Sequence, residues 1–285
     1  MPQLSNILID GVVYGMVLFI ISVGLSVTMG LMRFINLSHG AFAMAGGYVA
    51  ALLIREQGWP FGAGVALAVL FTMTLAAVLE TFVFRHLYKK SELQQVLFTI
   101  GFTFACIATA NLLAGAYIQT LPLPEWMQGS VALGARTLPK QRVVVVAAGA
   151  LVVLLLWLLV ARTRFGIWLR ASVDNAGMSS SLGINIRLVQ CATFAIGAGL
   201  AALGGVLGAE LMPLEPFYPL KYLVLMLVVV TVGGLGSISG TLCAALFLGI
   251  VDTASRYLAS DFGNLFFYAA MILLLAIRPH GILRR

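Results

Sequence analysis

Charge is the scarcest feature of this sequence. Only 9% of its 285 residues are Asp, Glu, Lys or Arg, against about 25% in soluble domains. That excludes a soluble enzyme, a disordered protein and a free-standing DNA-binding domain, each of which needs a polar surface. Cysteine is equally sparse. Cys106, Cys191 and Cys243 stand singly in apolar stretches without C-x-x-C spacing, so they read as buried small hydrophobes rather than a disulfide or metal set. Residues 1–6 hold no Lys or Arg. The basic n-region of a cleaved signal peptide is missing, and the first apolar run is expected to remain as a span.

What is present is apolar. Hydrophobic residues make up 61% of the chain and its mean hydropathy is +1.04. A membrane span takes about 20 apolar residues, so roughly eight or nine spans leave only short loops and no room for a soluble catalytic domain. The expected fold is all-α: a polytopic transmembrane helix bundle of about 8–9 segments, broken or half helices included, forming one membrane domain over residues 1–285. The apolar runs cover 7–32, 36–54, 61–84, 96–116, 143–161, 188–212, 222–232, 240–257 and 265–277. A polar stretch with Pro122, Pro124 and Pro139 follows the fourth. The run 222–232 is short for a crossing and is expected to be a half-helix broken by the glycines after it.

The net charge is +7. Basic residues at the ends of apolar runs point to positive-inside anchoring in a lipid bilayer, not to nucleic acid. With the N-terminus outside and every run crossing, Arg55, Arg136, Lys140, Arg142, Lys221 and Arg256 fall outside, and the remaining 11 of the 17 basic residues fall inside. This places the N-terminus outside and the C-terminus, with Arg278, Arg284 and Arg285, in the cytoplasm.

Three polar clusters interrupt the apolar pattern. The first, Asn36, Ser38, His39 and Gly40, opens the second run. An interrupted helix leaves free N–H groups and a positive helix end, which suit a carboxylate or a dipolar solute. The competing role for Asn36 or Ser38 is a helix cap. His39, with no second ligand nearby, is expected to be a packed, hydrogen-bonded side chain and not a metal ligand. The second cluster runs from Gly233 to Thr241 and contains Gly234, Gly236, Ser237, Ser239 and Gly240. It lacks the lysine of a phosphate loop, so a helix break or a close helix crossing is expected. Gly204 and Gly208 form a further G-x-x-x-G, read as helix packing. Ser237 to Thr241 resembles Leu37 to Ala41, a short match pointing to an internal pseudo-repeat with breaks at a transport site. The third cluster, 162–187, is expected to form one or two short surface helices, capped at Asp174 or Asn175 and ended at Gly183.

Acids in the apolar runs have partners within reach: Glu80 lies one turn from Arg85, and Asp252 stands four before Arg256. A proton-driven carrier shows unpaired ionisable residues at mid-span. Neither these nor a paired-carboxylate, His-cluster or nucleophile–base set is recognisable, so the chain is expected not to be an enzyme, and no cofactor or metal site is expected.

The stretch Ile35-Asn36-Leu37-Ser38-His39-Gly40 with Met44, Gly47 and Tyr48 resembles the I-N-[FL]-[AS]-H-G…M-x-G-[AG]-Y pattern of branched-chain amino-acid ABC transporter permeases. Gly166, Arg170-Ala171, Leu182-Gly183-Ile184-Asn185, Phe194 and Gly204 to Leu207 follow in the family's order, as do Gly233 to Ser237, Gly240, Arg278-Pro279 and Gly281. The match is to the smaller, H-type permease. The resemblance implies an ATP-driven importer of Leu, Ile or Val in a bacterial inner (plasma) membrane. Its implied partners are a second homologous permease, two cytoplasmic ABC ATPases and a periplasmic solute-binding protein. It further implies that Arg170, Ala171, Asp174, Asn175, Gly183, Ile184 and Asn185 lie in the ATPase-coupling loop. Asn36, Ser38, His39, Gly40, Gly234, Ser237, Ser239 and Gly240 are then the candidates for the translocation path. Two departures stand out: Asp174-Asn175 where the family has an acidic pair, and Leu37-Ser38 where Phe-Ala is commoner. The added hydroxyl keeps urea and short amides, carried by similar permeases, open as substrates, and an importer of other amino acids stands beside them as an alternative. A stand-alone channel or secondary carrier is the remaining alternative.

Overall fold

The computed structural model describes residues 2–32, 34–133, 136–258 and 263–277. Six of the helices described there are long and apolar enough to cross a membrane. In chain order the helices are α1 (Pro2–Met32), α2 (His39–Ala51), α3 (Phe61–Phe82), α4 (Glu92–Ala114), α5 (Lys140–Arg162), α6 (Arg164–Asp174), α7 (Ala176–Ser181), α8 (Ile186–Leu207), α9 (Tyr218–Lys221), α10 (Leu223–Gly233), α11 (Ile238–Leu258) and α12 (Gly263–Ile277). A wide-turned segment, Leu52–Glu56, prolongs α2. The all-α expectation holds, with one addition: the proline-containing stretch before α5 holds an antiparallel hairpin, β1 (Ser130–Leu133) and β2 (Arg136–Pro139).

The helices sort by what they bury. A helix apolar on every face is either wrapped by protein or bathed in lipid. Residues 17–21 and Val23 and Leu25 of α1 are buried without a gap, so α1 is wrapped and forms the central post. On α3 burial is a stripe of small or polar residues, Gly64, Ala68, Thr72, Ala76 and Glu80. On α4 the stripe is Gln95, Thr99, Thr103, Ile107 and Ala110. Both recur at helical spacing. The opposite faces expose Leu70, Phe71, Phe82, Leu97, Phe104 and Leu112. Small and polar residues inside with large apolar residues outside is the arrangement suited to a lipid surround, where close backbone approach replaces hydrophobic burial as the source of packing.

Glycine sets those approaches. A Cβ on Gly24 of α1 would lie 2.3 Å from the Gly197 carbonyl oxygen of α8. Gly204 of α8 and Gly208 at its C-cap pack on Ile21 and Val17 of α1, as their G-x-x-x-G spacing anticipates. Across from them, Gly15 of α1 faces Ala245, Leu246 and Gly249 of α11. The contacts run in opposite order along α1 and α8, and again along α1 and α11, so both neighbours are antiparallel to the post.

Candidate functional site

The first break begins where α1 ends. Its ring nitrogen places His39: Nε2 lies 3.1 Å from the Ile21 carbonyl oxygen, and the acceptor-only carbonyl makes the ring the donor. Ile21 precedes Met32 by eleven residues, about 16 Å of helix. The chain therefore turns back along α1 after its end, and α2 starts inside the bundle rather than at its face. The returning residues lie outside any helix, and such backbone within an apolar surround needs partners. Helix α4 supplies them. Gln95 Oε1 accepts from Ile35 N at 3.0 Å and Thr99 Oγ1 from Leu37 N at 3.4 Å. Gln95 Nε2 donates to the carbonyls of Leu87 and Lys90.

Asn36 folds the turn. Its Oδ1 accepts from Ser38 N at 3.1 Å and from Ser38 Oγ at 2.6 Å. Ser38 stands at the N-cap position of α2, yet its side chain makes no capping bond. The capping role expected for Ser38 is corrected: the hydroxyl is spent on Asn36. Asn36, Ser38, His39 and Gly40 are all buried. Gly40 abuts Pro219, to which a Cβ would come within 2.8 Å. Asn36 Nδ2, Ser22 Oγ and the Tyr218 hydroxyl are buried and have no hydrogen-bond partner among the described residues, a costly state unless another polar group reaches them.

The second break lies between α10 and α11. Helix α10 is the short half-helix expected, and it ends at Gly234 with φ of 90°. Gly236, φ 80°, donates its N–H to the Ser26 carbonyl of α1 at 3.1 Å. A Cβ at Gly30 would come within 2.0 Å of that same nitrogen, so bare backbone is required on both sides. Ser237 Oγ accepts from Gly240 N and caps α11, and Thr241 Oγ1 meets Ser26 Oγ at 2.9 Å. Gly234 and Gly240 are buried, Ser237 is half-buried, and Ser239 is exposed on the first turn of α11. Ile21 and Ser26, which receive the two breaks, are five residues apart on α1, about 7.5 Å along its axis.

Beneath the first break Phe34, Phe84 and Phe194 are fully buried with ring centroids 5.1 to 6.5 Å apart. Tyr88 stacks edge-on to Phe34 at 5.1 Å and donates to Glu80. Glu80 is buried and pairs with Arg85 at 2.7 Å. Burial, then the Glu80 carboxylate, hold the Tyr88 phenol above its ordinary pKa.

The segment 162–187 forms two short helices, as expected. Asn175 caps α7, accepting from Met178 N at 2.9 Å, and Asn185 caps α8, accepting from Leu188 N at 3.1 Å. Gly183, φ 85°, ends α7: its N–H reaches the Ser180 carbonyl and the Ile184 N–H reaches that of Ser179, a Schellman closure. Arg170 donates to the Val160 carbonyl in the last turn of α5, complementing that helix end. Ser179 Oγ donates to the carbonyl of Ala171. Asp174 is exposed. So are Trp168, Met178, Leu182 and Leu188, large apolar side chains on helices that carry charge and hydroxyls beside them. Arg33, the motif Arg278-Pro279 with Gly281, and the basic tail lie outside the described residues.

Sequence reasoning missed three pairs of residues. Gln95 and Thr99 stand i, i+4 in an apolar run, a signal of one polar helix face. Ser22 and Ser26 repeat that spacing on α1. Asp10 pairs with Arg142, 132 residues away, and no local spacing announces that.

Comparison with known proteins bears on this geometry. Residues 7–275 match the family model described as branched-chain amino acid transport system / permease component. The high-affinity branched-chain amino acid transport system permease protein LivH of Escherichia coli is 28% identical over 97% of this chain and 94% of its own length. The permease protein BraD of the corresponding system in Pseudomonas aeruginosa is 26% identical over 100% of this chain and 98% of its own. The probable LivH of Methanocaldococcus jannaschii is 27% identical over 97% and 91%. The chain therefore belongs to the permease-component family of branched-chain amino acid transport systems, a family of transport permeases and not of enzymes.

Proposed function

We propose that this chain is a transmembrane permease subunit of an ATP-driven importer of branched-chain amino acids. It works beside a second, homologous permease in the inner (plasma) membrane, its N-terminus periplasmic and its C-terminus cytoplasmic. A periplasmic solute-binding protein delivers the substrate, and two cytoplasmic ABC ATPases dock on the loop 162–187. The exposed Met178 and Leu182, with Leu188 just beyond, give that loop an apolar face for a soluble partner.

One observation carries the reading: two chain breaks rest on a single central helix, one through His39 on Ile21 and one through Gly236 on Ser26. Each break ends one helix and starts another. A push on α6 and α7 reaches α1 directly, since Leu169 of α6 packs near Val27 and Met32 of the post. Movement of α1 then shifts both breaks together and opens the polar groups at Asn36, Ser38 and Ser22 to alternate sides. The aromatic layer of Phe34, Phe84 and Phe194 closes the inner side in the present conformation.

A cysteine at Ser38, in a chain with Cys106, Cys191 and Cys243 replaced, tests this. In the assembled transporter its labelling by a membrane-impermeant thiol reagent should change several-fold between nucleotide-free and ATP-trapped states. Equal labelling in the two states, with uptake intact, contradicts the proposed movement.

A further inference from the structure

A cavity of about 440 Å³ lies beside the N-terminal half of α1, between α10 and α11 and the first residues of α5. It is separate from both breaks, and its size falls within the roughly 300–1,000 Å³ of small-molecule sites. Its charged lining is mixed: the carboxylates of Asp10 and Asp252 face it together with the cations of Arg142, Lys221 and Arg256. Its apolar wall is made by Val13, Leu211 and Leu225. Val13, Arg142 and Leu211 also line a neighbouring cavity of about 280 Å³.

The lining charges are held in place but retain bonding capacity. Asp10 accepts from Arg142 and from Tyr257, the latter at 2.8 Å. Asp252 accepts from Arg256 Nε at 2.8 Å and Nη2 at 3.3 Å. A carboxylate has about four lone-pair sites, so each keeps room for an ammonium donor. Arg256 commits Nε and one terminal nitrogen to Asp252, which leaves its other terminal nitrogen to donate. Lys221 gives one of its three donors to Glu215. The side chains of Arg256 and Lys221 are 61% and 50% exposed, so these donors face an opening and not the sealed core.

We propose that this cavity binds the zwitterionic head of an aliphatic amino acid, its carboxylate at Lys221 and Arg256, its ammonium at Asp252, and its side chain on Val13, Leu211 and Leu225. The inference rests on the importer reading, which puts the cavity on the external side as a first station for substrate. Mixed charge selects the ligand. A simple anion meets two carboxylates and a simple cation meets three basic groups, whereas a zwitterion pairs with both signs at once. Urea, neutral and without an apolar tail, uses neither the charges nor the wall.

The test uses the assembled transporter in nanodiscs without its binding protein. Radiolabelled leucine is measured by equilibrium dialysis, with 4-methylpentanoate (no ammonium), 3-methylbutylamine (no carboxylate) and urea as competitors. Leucine should bind saturably, and each competitor should be at least about tenfold weaker. Asp252→Asn should weaken leucine at least about tenfold and reduce the discrimination against 4-methylpentanoate. Lys221→Gln sits at a half-exposed side chain and strands no buried charge. It should weaken leucine while keeping discrimination against the acid, and it decides the matter if Asp252→Asn fails to fold. Absent leucine binding, unchanged binding in the folded variants, or competitors equal to leucine would overturn the proposal. ATP-driven leucine uptake by the same assembly, with binding protein added, separates the two levels. Uptake with any of those binding results removes the site alone; no uptake by the wild type removes the importer reading and this inference with it.

Discussion

Arg85 and Glu80 form an asymmetric pair: the Glu80 side chain is fully buried and that of Arg85 is 27% exposed. Removing the exposed partner strands a buried carboxylate, which costs about 3–5 kcal/mol. Removing the buried partner leaves a guanidinium that water can reach. Arg85→Met should therefore lower the detergent melting temperature more than Glu80→Gln, and the double variant should recover part of the loss. Equal effects would contradict the burial assigned to Glu80. Gln95 invites a second comparison. Gln95→Leu removes the acceptor for Ile35 N and both bonds to the Leu87 and Lys90 carbonyls, at about 1–3 kcal/mol per stranded buried group. It should lower both melting temperature and uptake, while Thr99→Ser, which retains the hydroxyl under Leu37 N, should leave both near wild type. Pairs close in sequence were legible at this scale: Asp252 with Arg256 follows from helical spacing, and Glu80 with Arg85 from nearness in the chain. Asp10 with Arg142, and Gln95 beneath Ile35, were not, because only the tertiary fold brings them together.

At the scale of elements, boundaries were legible wherever a local device sets them. Asn175, Gly183 and Gly234 act through their own backbone or cap, and they end or begin helices where the sequence indicated. The start of α2 was not legible. Residues 36–38 look helical by hydropathy but form an irregular turn, since Leu37 N is satisfied by Thr99 of α4 and Ser38 N by the Asn36 side chain rather than by a helical carbonyl. The hairpin before α5 went unseen because its strands are only four residues long and lie in a proline-rich polar stretch. The closure at Gly183 yields a direct prediction. Proline cannot adopt φ of 85° and carries no N–H for the Ser180 carbonyl. Gly183→Pro should uncouple ATP hydrolysis from uptake while membrane insertion stays normal. Leu182→Asp, on the exposed apolar face of the loop, should weaken ATPase co-purification without lowering the melting temperature of the isolated subunit. Normal uptake in the first or normal co-purification in the second would contradict a coupling role for the loop.

For the whole molecule, the composition already dictated an apolar helical bundle, and the order of small-residue motifs pointed to the family. The arrangement around α1 needed the structure: a long apolar run reads the same whether lipid or protein surrounds it. Close glycine contacts make α1 a post that tolerates little enlargement. Gly24→Val would drive a side chain into the Gly197 carbonyl, an overpacking cost of about 1–3 kcal/mol or more. It should lower the melting temperature and abolish uptake, whereas Gly62→Val, at a position with open space around it, should change neither. Under the proposed function this chain is a passage moved by motors it does not contain. Leucine accumulation in proteoliposomes tests this, compared for the chain alone and for the chain with its second permease, ATPases, binding protein and ATP. Accumulation against a gradient only in the complete, ATP-supplied assembly is the expected result; accumulation by the chain alone, without nucleotide, would contradict it.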